Sequence, residues 1–187
     1  MKRVIDFFLS FLAIIVFFVP ILVVAICIKL DSKGPILFTQ DRVGVNGKLF
    51  KIYKFRSMYT ETPNVSTEAL GDPRVYITKV GKFIRKTSLD ELPQLFNIFK
   101  GDMAVVGPRP ALFNQYDLIA MRDKVNVNSV RPGLTGYAQV MGRDLISDEE
   151  KVSYDLYYVE NMGVIFDMKI ILMTFFSVLK SEGVKMK

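Results

Sequence analysis

The sequence predicts an α+β protein: an apolar N-terminal helical segment broken by a proline, a short β-hairpin, and several amphipathic helices around a small domain. Three observations carry this. Residues 7–28 are almost wholly apolar, with Pro20 inside the run. Residues 35–43 and 48–55 are rich in β-branched and aromatic side chains and flank Gly44-Val45-Asn46-Gly47, which supplies turn chemistry. Helical patterning resumes after Ser88 and recurs over 147–161. At 187 residues the economical organisation is an anchor over 1–33 and one domain over 34–187.

Composition restricts the chemistry. The chain has no histidine, and its one cysteine, Cys27, lies in the apolar run, so Asp and Glu remain as acid, base or nucleophile. Half the residues are hydrophobic, mean hydropathy is +0.26 and the formal net charge is +6. That combination suits an anionic membrane surface or a polyanionic substrate. Nucleic acid is disfavoured, because the basic residues are interleaved with apolar ones and no nucleic-acid motif is present. A lone cysteine argues against a disulfide framework and for the cytosolic side.

The apolar run is long enough to cross a bilayer, which takes about 20 residues. It is too long for a cleaved signal peptide and no small-residue cleavage site follows it. Lys2 and Arg3 precede it and Lys29 and Lys33 follow it, so both flanks favour the cytoplasmic side. Pro20 removes a backbone hydrogen bond and predicts a kink. A spanning helix and a helix-break-helix hairpin both fit these features, since membrane helices tolerate proline.

The β-hairpin is expected to end in Lys54-Phe55-Arg56-Ser57-Met58. Residues 60–73 are polar, with prolines, glycine and acids, and read as a surface loop or lid. Apolar and basic residues then alternate loosely over 75–85 and lead into Ser88-Leu89-Asp90-Glu91-Leu92-Pro93-Gln94-Leu95.

In that stretch Ser88 and Glu91 have the spacing of a capping box, in which Glu91 bonds back to the cap's backbone N–H. Pro93 is tolerated only near a helix start, and Lys100-Gly101 supplies a stop. The carboxylates therefore lie at a helix N-terminus, which lowers a carboxylate's pKa and attracts phosphate. An anionic nucleophile and an anionic substrate would repel, and a divalent cation bridging Asp90 and a diphosphate relieves this, with Mg2+ the natural choice. Arg85 precedes the dyad by about a turn and a half. Arg109 stands between Pro108 and Pro110, while Arg131-Pro132-Gly133 and Gly142-Arg143-Asp144 repeat the theme of an arginine on a stiff or tight turn. A planar fork that binds phosphate oxygens bidentately is the reason to place arginine there.

Towards the C-terminus, residues 147–161 open with Asp148, Glu149, Glu150 and Lys151 and then carry Tyr154, Tyr157 and Tyr158. They read as an amphipathic helix whose aromatics form an interfacial edge or enter the core. Residues 164–179 are strongly apolar but interrupted by Asp167 and Lys169, and too short to cross comfortably. They should lie in the interface or pack under the domain.

With these blocks in view, the chain resembles the bacterial sugar transferase family, specifically the small monotopic polyprenyl-phosphate phosphoglycosyl transferases that initiate capsule and exopolysaccharide assembly. The likeness covers nearly the whole chain: Lys2-Arg3-Val4-Ile5-Asp6, the proline-broken segment, Phe50-Lys51-Ile52-Tyr53-Lys54-Phe55-Arg56-Ser57-Met58, Thr87-Ser88-Leu89-Asp90-Glu91-Leu92-Pro93-Gln94, Gly101-Asp102-Met103, Val106-Gly107-Pro108-Arg109-Pro110, Arg131-Pro132-Gly133 and Gly142-Arg143.

The resemblance implies transfer of a sugar 1-phosphate from a UDP-sugar to undecaprenyl phosphate, with release of UMP and a requirement for Mg2+. It implies Asp90 as nucleophile, forming an aspartyl phosphosugar, and Glu91 supporting the metal or activating the lipid phosphate. Arg56, Arg85 and Arg109 fall where the family places basic residues near phosphate; the first of these can be lysine in relatives. Arg143, Asp155 and Asp167 fall at other positions of the active-site surface. The family's re-entrant hairpin implies an enzyme on the cytoplasmic face of the bacterial cell membrane, in contact with inner-leaflet phospholipid, and permits a homodimer. Here the break pair is Val19-Pro20, where relatives often have serine before the proline. The sugar is not readable from the residues; likeness to capsule-initiating members points to an N-acetylated deoxysugar such as N-acetylfucosamine.

Two other classes remain open on the residues alone. A membrane-bound subunit could bind a nucleotide-sugar or lipid phosphate without turnover, although a pure binder of polyanions gains nothing from two carboxylates beside its arginines. A phosphatase or pyrophosphatase on the same lipid would release inorganic phosphate or sugar phosphate instead of UMP.

Overall fold

In the computed structural model, which describes residues 1–63, 72–142 and 145–179 (without the side chains of 178 and 179), the apolar run forms two helices, α1 (Lys2–Val16) and α2 (Phe18–Asp31), bent by 61°. The break is at Phe17. Pro20 is the third residue of α2, so it has no N–H for the carbonyl of Val16 and its ring presses on that group, which puts the kink one turn before the proline. Among the described residues no single helix is long and apolar enough to cross a membrane; the bent pair together is.

Both ends of the pair are fastened to the same domain. Arg3 donates to the carbonyls of Ile98 at 2.6 Å and Phe99 at 2.7 Å, and Phe7 stacks on Phe99 with ring centroids 4.8 Å apart. Asp6, 3% exposed, accepts the Val105 N–H at 3.1 Å. At the other end the buried Arg56 guanidinium donates to the carbonyls of Ser32, at 2.7 Å, and Lys33. Arg3 thus adds donors to the last carbonyls of α4, and Arg56 to the carbonyls just past the end of α2. The outward face of the pair, including Phe8, Leu12, Val16, Val19, Leu22 and Val23, remains exposed.

The hairpin forms as expected, with β1 (Leu37–Val43) antiparallel to β2 (Leu49–Phe55), Leu37 opposite Phe55 and Val43 opposite Leu49. Asn46 and Gly47, at φ 53° and 74°, close the turn. Of the expected loop over 60–73, residues 64–71 lie outside the described residues. Next comes α3 (Lys79–Lys86), capped by Thr78, whose hydroxyl accepts the Gly81 N–H at 2.9 Å.

Helix α4 (Gln94–Lys100) packs Leu95 and Ile98 with Ile52 of β2 and supports the strand through the fully buried Asn97, which accepts from Tyr53 N at 3.0 Å and donates to the carbonyl of Lys51 at 2.8 Å. It stops at Gly101, at φ +100°, as Lys100-Gly101 predicts. Strands β3 (Ala104–Val106) and β4 (Gly133–Thr135) pair in parallel and are separated by α5 (Tyr116–Lys124). Gly107 follows β3 because the Arg131, Pro132 and Gly133 backbone leaves no room for a Cβ there.

The chain closes with α6 (Tyr137–Met141), α7 (Asp148–Asn161) and α8 (Val164–Leu179). Ser147 and Glu150 form a reciprocal capping box on α7. The two readings of its tyrosines divide: Tyr157 is half exposed, whereas Tyr158 is 1% exposed and packs with Val106 and Ile170. The Tyr158 hydroxyl donates to the Val106 carbonyl or to Asp167, at 3.0 and 2.8 Å. Helix α8 therefore packs under the domain through Ile170 while Ile165, Leu172, Phe175 and Phe176 stay exposed.

Candidate active site

The dyad sits on a single 3-10 turn, Leu89–Glu91, between α3 and α4. The capping box expected there does not form. Ser88 adopts a left-handed conformation, φ 56°, and makes no side-chain cap bond. Glu91 instead turns towards β2 and the loop after β3, accepting from Lys54 Nζ at 2.8 Å and Arg109 Nη2 at 3.1 Å. Asp90 makes no hydrogen bond or ion pair among the described residues.

Adjacent carboxylates thus acquire opposite electrostatics. Burial raises the pKa of Asp90 above the ordinary carboxylate value; the charges of Lys54, Arg85 and Arg109 work against that shift, and the charge of Glu91 adds to it. Burial also acts on Glu91, but Lys54 and Arg109 outweigh it by charge and hydrogen bonding and hold that carboxyl well below its ordinary range. One carboxylate is anchored and ionised; the other is unbonded and basic. Arg42 adds a further cation. Burial first, and then the nearby charge of Arg109, push its pKa down to about 10.

Arg109 is held by its backbone. The Pro108 carbonyl accepts from Gly133 N at 2.9 Å, the Pro110 carbonyl accepts from Arg42 at 3.0 Å, and the Arg109 carbonyl accepts from Arg122 at 2.8 Å. Arg122 is itself buried and donates to Asp155 at 2.5 Å.

The structure brings Asp90, Glu91, Arg85 and Arg109 together and distributes the other expected residues differently. Arg56 caps the end of α2. Asp155 is 1% exposed and, among the described residues, reaches the site through Arg122 and the Arg109 carbonyl. Asp167 accepts Lys2 Nζ at 2.6 Å and joins α8 to the start of α1. Arg131 is exposed and donates to the Gly101 carbonyl at 3.0 Å. Arg143 lies outside the described residues. Sequence reasoning missed Lys54, Arg42 and Arg122. Lys54 lies on β2 inside the Phe50–Met58 block, but nothing local marks it, Arg42 or Arg122 as part of the site.

No group of three or more His, Cys, Asp or Glu side chains converges among the described residues. The donor set does fit Mg2+, which is typically held by one or two carboxylates together with substrate phosphates. With Glu91 committed to Lys54 and Arg109, Asp90 is the carboxylate free to serve.

A family model described as bacterial sugar transferase matches residues 1–181. The chain is 40% identical to the "Uncharacterized sugar transferase EpsL" of Bacillus subtilis, over 99% of this chain and 90% of that protein. It is 42% identical to the "Exopolysaccharide production protein PSS" of Rhizobium leguminosarum, over 91% of each. It is 40% identical to the "UDP-glucose:undecaprenyl-phosphate glucose-1-phosphate transferase" of Escherichia coli, over 94% of this chain but only 39% of that longer protein. A dyad with one anchored and one unbonded carboxylate thus lies within a match running almost end to end, and the chain belongs to the bacterial sugar transferase family.

Proposed function

We propose that the chain transfers a sugar 1-phosphate from a UDP-sugar to undecaprenyl phosphate, with Asp90 as a covalent nucleophile. The observation that carries this is the asymmetry of the dyad: Asp90 is basic and free of hydrogen bonds beside cations that would receive a diphosphate. The names of the Escherichia coli relative and of the Aeromonas hydrophila "UDP-N-acetylgalactosamine-undecaprenyl-phosphate N-acetylgalactosaminephosphotransferase" support the reaction class, and differ in sugar.

In the first half-reaction an Asp90 carboxylate oxygen attacks the sugar-linked phosphorus, the bond to the bridging oxygen breaks, and UMP departs with that oxygen and its electron pair. Lys54, Arg85 and Arg109 offset the charge that develops. In the second, an oxygen of the lipid phosphate attacks the same phosphorus and Asp90 leaves as carboxylate. Glu91 holds Lys54 and Arg109 in place. Asp90 is the residue that would hold a Mg2+, and the ion would supply further charge neutralisation.

The geometry of the helix pair supports a re-entrant anchor, and the basic flanks Lys2, Arg3, Lys29 and Lys33 favour the cytoplasmic face. At 1.5 Å per residue its arms are about 22 and 21 Å long, so with both ends level at the surface a 61° bend carries its apex only about 11 Å deep. The hydrocarbon core is about 30 Å thick. Both ends are tied to one domain, which keeps that domain on one side.

A non-catalytic binder would carry an unpaired basic aspartate at a cost and without a use. The test is exchange of labelled UMP into a UDP-sugar without lipid, across a panel of UDP-sugars with Mg2+. Exchange that disappears in Asp90→Asn supports the reading; product formation without exchange, or full activity in Asp90→Asn, contradicts it.

A further inference from the structure

A cavity of about 350 Å³ opens beside the dyad. Its lining includes Ser88 and Glu91 of the dyad turn, Phe17 at the bend of the apolar pair, and Phe175 and Ser177 near the end of α8. Its walls are mostly apolar, from Leu92, Leu95, Val105, Leu134, Val140 and Ile171. The threonines that reach it are satisfied internally: the Thr135 and Thr174 hydroxyls bond each other at 2.6 Å, and Thr174 also bonds the Ile170 carbonyl at 2.8 Å. They offer methyl groups rather than partners for sugar hydroxyls. The cavity therefore joins the charged dyad to the apolar helix bend by a mostly hydrocarbon surface, with Gln139 as a polar exception whose Oε1 is buried and has no hydrogen-bond partner among the described residues.

We propose that this cavity receives the phosphate-proximal isoprene units of the acceptor lipid, an inference that rests on the transfer reaction proposed above. A prenyl phosphate carries its hydrocarbon directly on a phosphate oxygen, so a phosphate placed at Lys54 and Arg109, which both bond the lining residue Glu91, brings the first units to the cavity. A diacyl phospholipid interposes glycerol and brings two chains to a space suited to one. At roughly 30 Å³ for each water-sized group, the cavity holds on the order of ten carbons, or about two isoprene units. The rest of the lipid would leave past Phe17 and Phe175 into the bilayer. The acceptor is then selected by the branched segment next to its phosphate and not by total length.

The test uses the full chain in nanodiscs with prenyl phosphates of one to four isoprene units. The ratio of kcat/KM between acceptors of two units and one should be tenfold or more, and the ratio between four and two close to one. Ser177→Trp, which fills the cavity, should bring the first ratio near unity. Leu172→Trp, at an exposed position of α8 outside the lining, should keep the parent ratios. Parent-like length dependence in Ser177→Trp overturns the proposal, as does a smooth rise through four units in the unaltered chain.

A second measurement needs no turnover. A prenyl phosphate with a photoreactive group on its second unit should label residues 134–140 and 171–177, and unlabelled prenyl phosphate should compete. Labelling of the same residues by a photoreactive phospholipid that prenyl phosphate fails to displace would assign the cavity to bulk lipid and overturn the proposal. If UMP exchange is absent while photolabelling succeeds, the transfer reading fails and the cavity assignment stands.

Discussion

Lys54 Nζ lies 2.8 Å from Oε1 of Glu91, and that contact separates the roles of two adjacent carboxylates. Lys54 and Arg109 favour the ionised form of Glu91, and Glu91 in turn fixes the two cations. Asp90 is left half-buried, unbonded and more basic than an ordinary aspartate.

The two isosteric amide substitutions should therefore change stability in opposite directions. Burial raises the pKa of folded Asp90, so the folded protein holds that proton more tightly and stability falls as pH climbs from the ordinary carboxylate range through the raised value. Asp90→Asn removes that cost and should unfold later than the parent at pH 7. Glu91 has a depressed pKa, so its contribution is present above the ordinary glutamate range and fades as pH falls towards the depressed value. Glu91→Gln should lose about 2 kcal/mol, the scale of a hydrogen bond to a charged group. Denaturant titration at pH 7 checks both; shifts of the same sign contradict the electrostatic assignment.

Lys54→Met should change the pH profile as well as the rate. Removing the cation that most opposes the raised pKa of Asp90 raises it further, so the acid limb of kcat/KM for UMP release moves to higher pH. The rate at the plateau should fall about 100-fold, as when one preorganised donor is lost. An unmoved acid limb would separate Lys54 from the reacting carboxylate.

Arg122 and Asp155 should act through Arg109. Asp155→Ala strands a buried guanidinium and should cost about 3–5 kcal/mol. The double variant Arg122→Met with Asp155→Leu should recover most of that stability, because apolar replacement of a buried pair is often neutral. It should not recover activity, since methionine cannot donate to the Arg109 carbonyl. Recovery of both would make the pair purely structural.

Legibility in the sequence followed the range of the interactions. The hairpin was readable because its turn and alternation are local, and Ser147 with Glu150 capped α7 as their spacing implies. Ser88 and Glu91 have the same spacing and did not cap, because Lys54 and Arg109, 37 and 18 residues away in sequence, claim the glutamate. The dyad and Arg109 could be picked out beforehand, but the engagement of Arg56 by α2 could not: it depends on where the apolar pair docks. The parallel pairing of β3 and β4 was equally hidden, since three-residue strands carry too little periodicity to register.

Arg56 gives a test of that docking. Arg56→Ala should loosen the end of α2 and raise proteolysis around residues 29–35, with KM for the UDP-sugar unchanged in the folded fraction. A raised KM with an intact α2 would assign Arg56 to the donor phosphate instead.

The central claim is tested most directly by acid-quenching the protein with a UDP-sugar labelled in the sugar-linked phosphate and mapping the labelled peptide. The account predicts one phosphosugar adduct, on Asp90, discharged by undecaprenyl phosphate and absent from Asp90→Asn. Normal turnover with no adduct on that residue would contradict it.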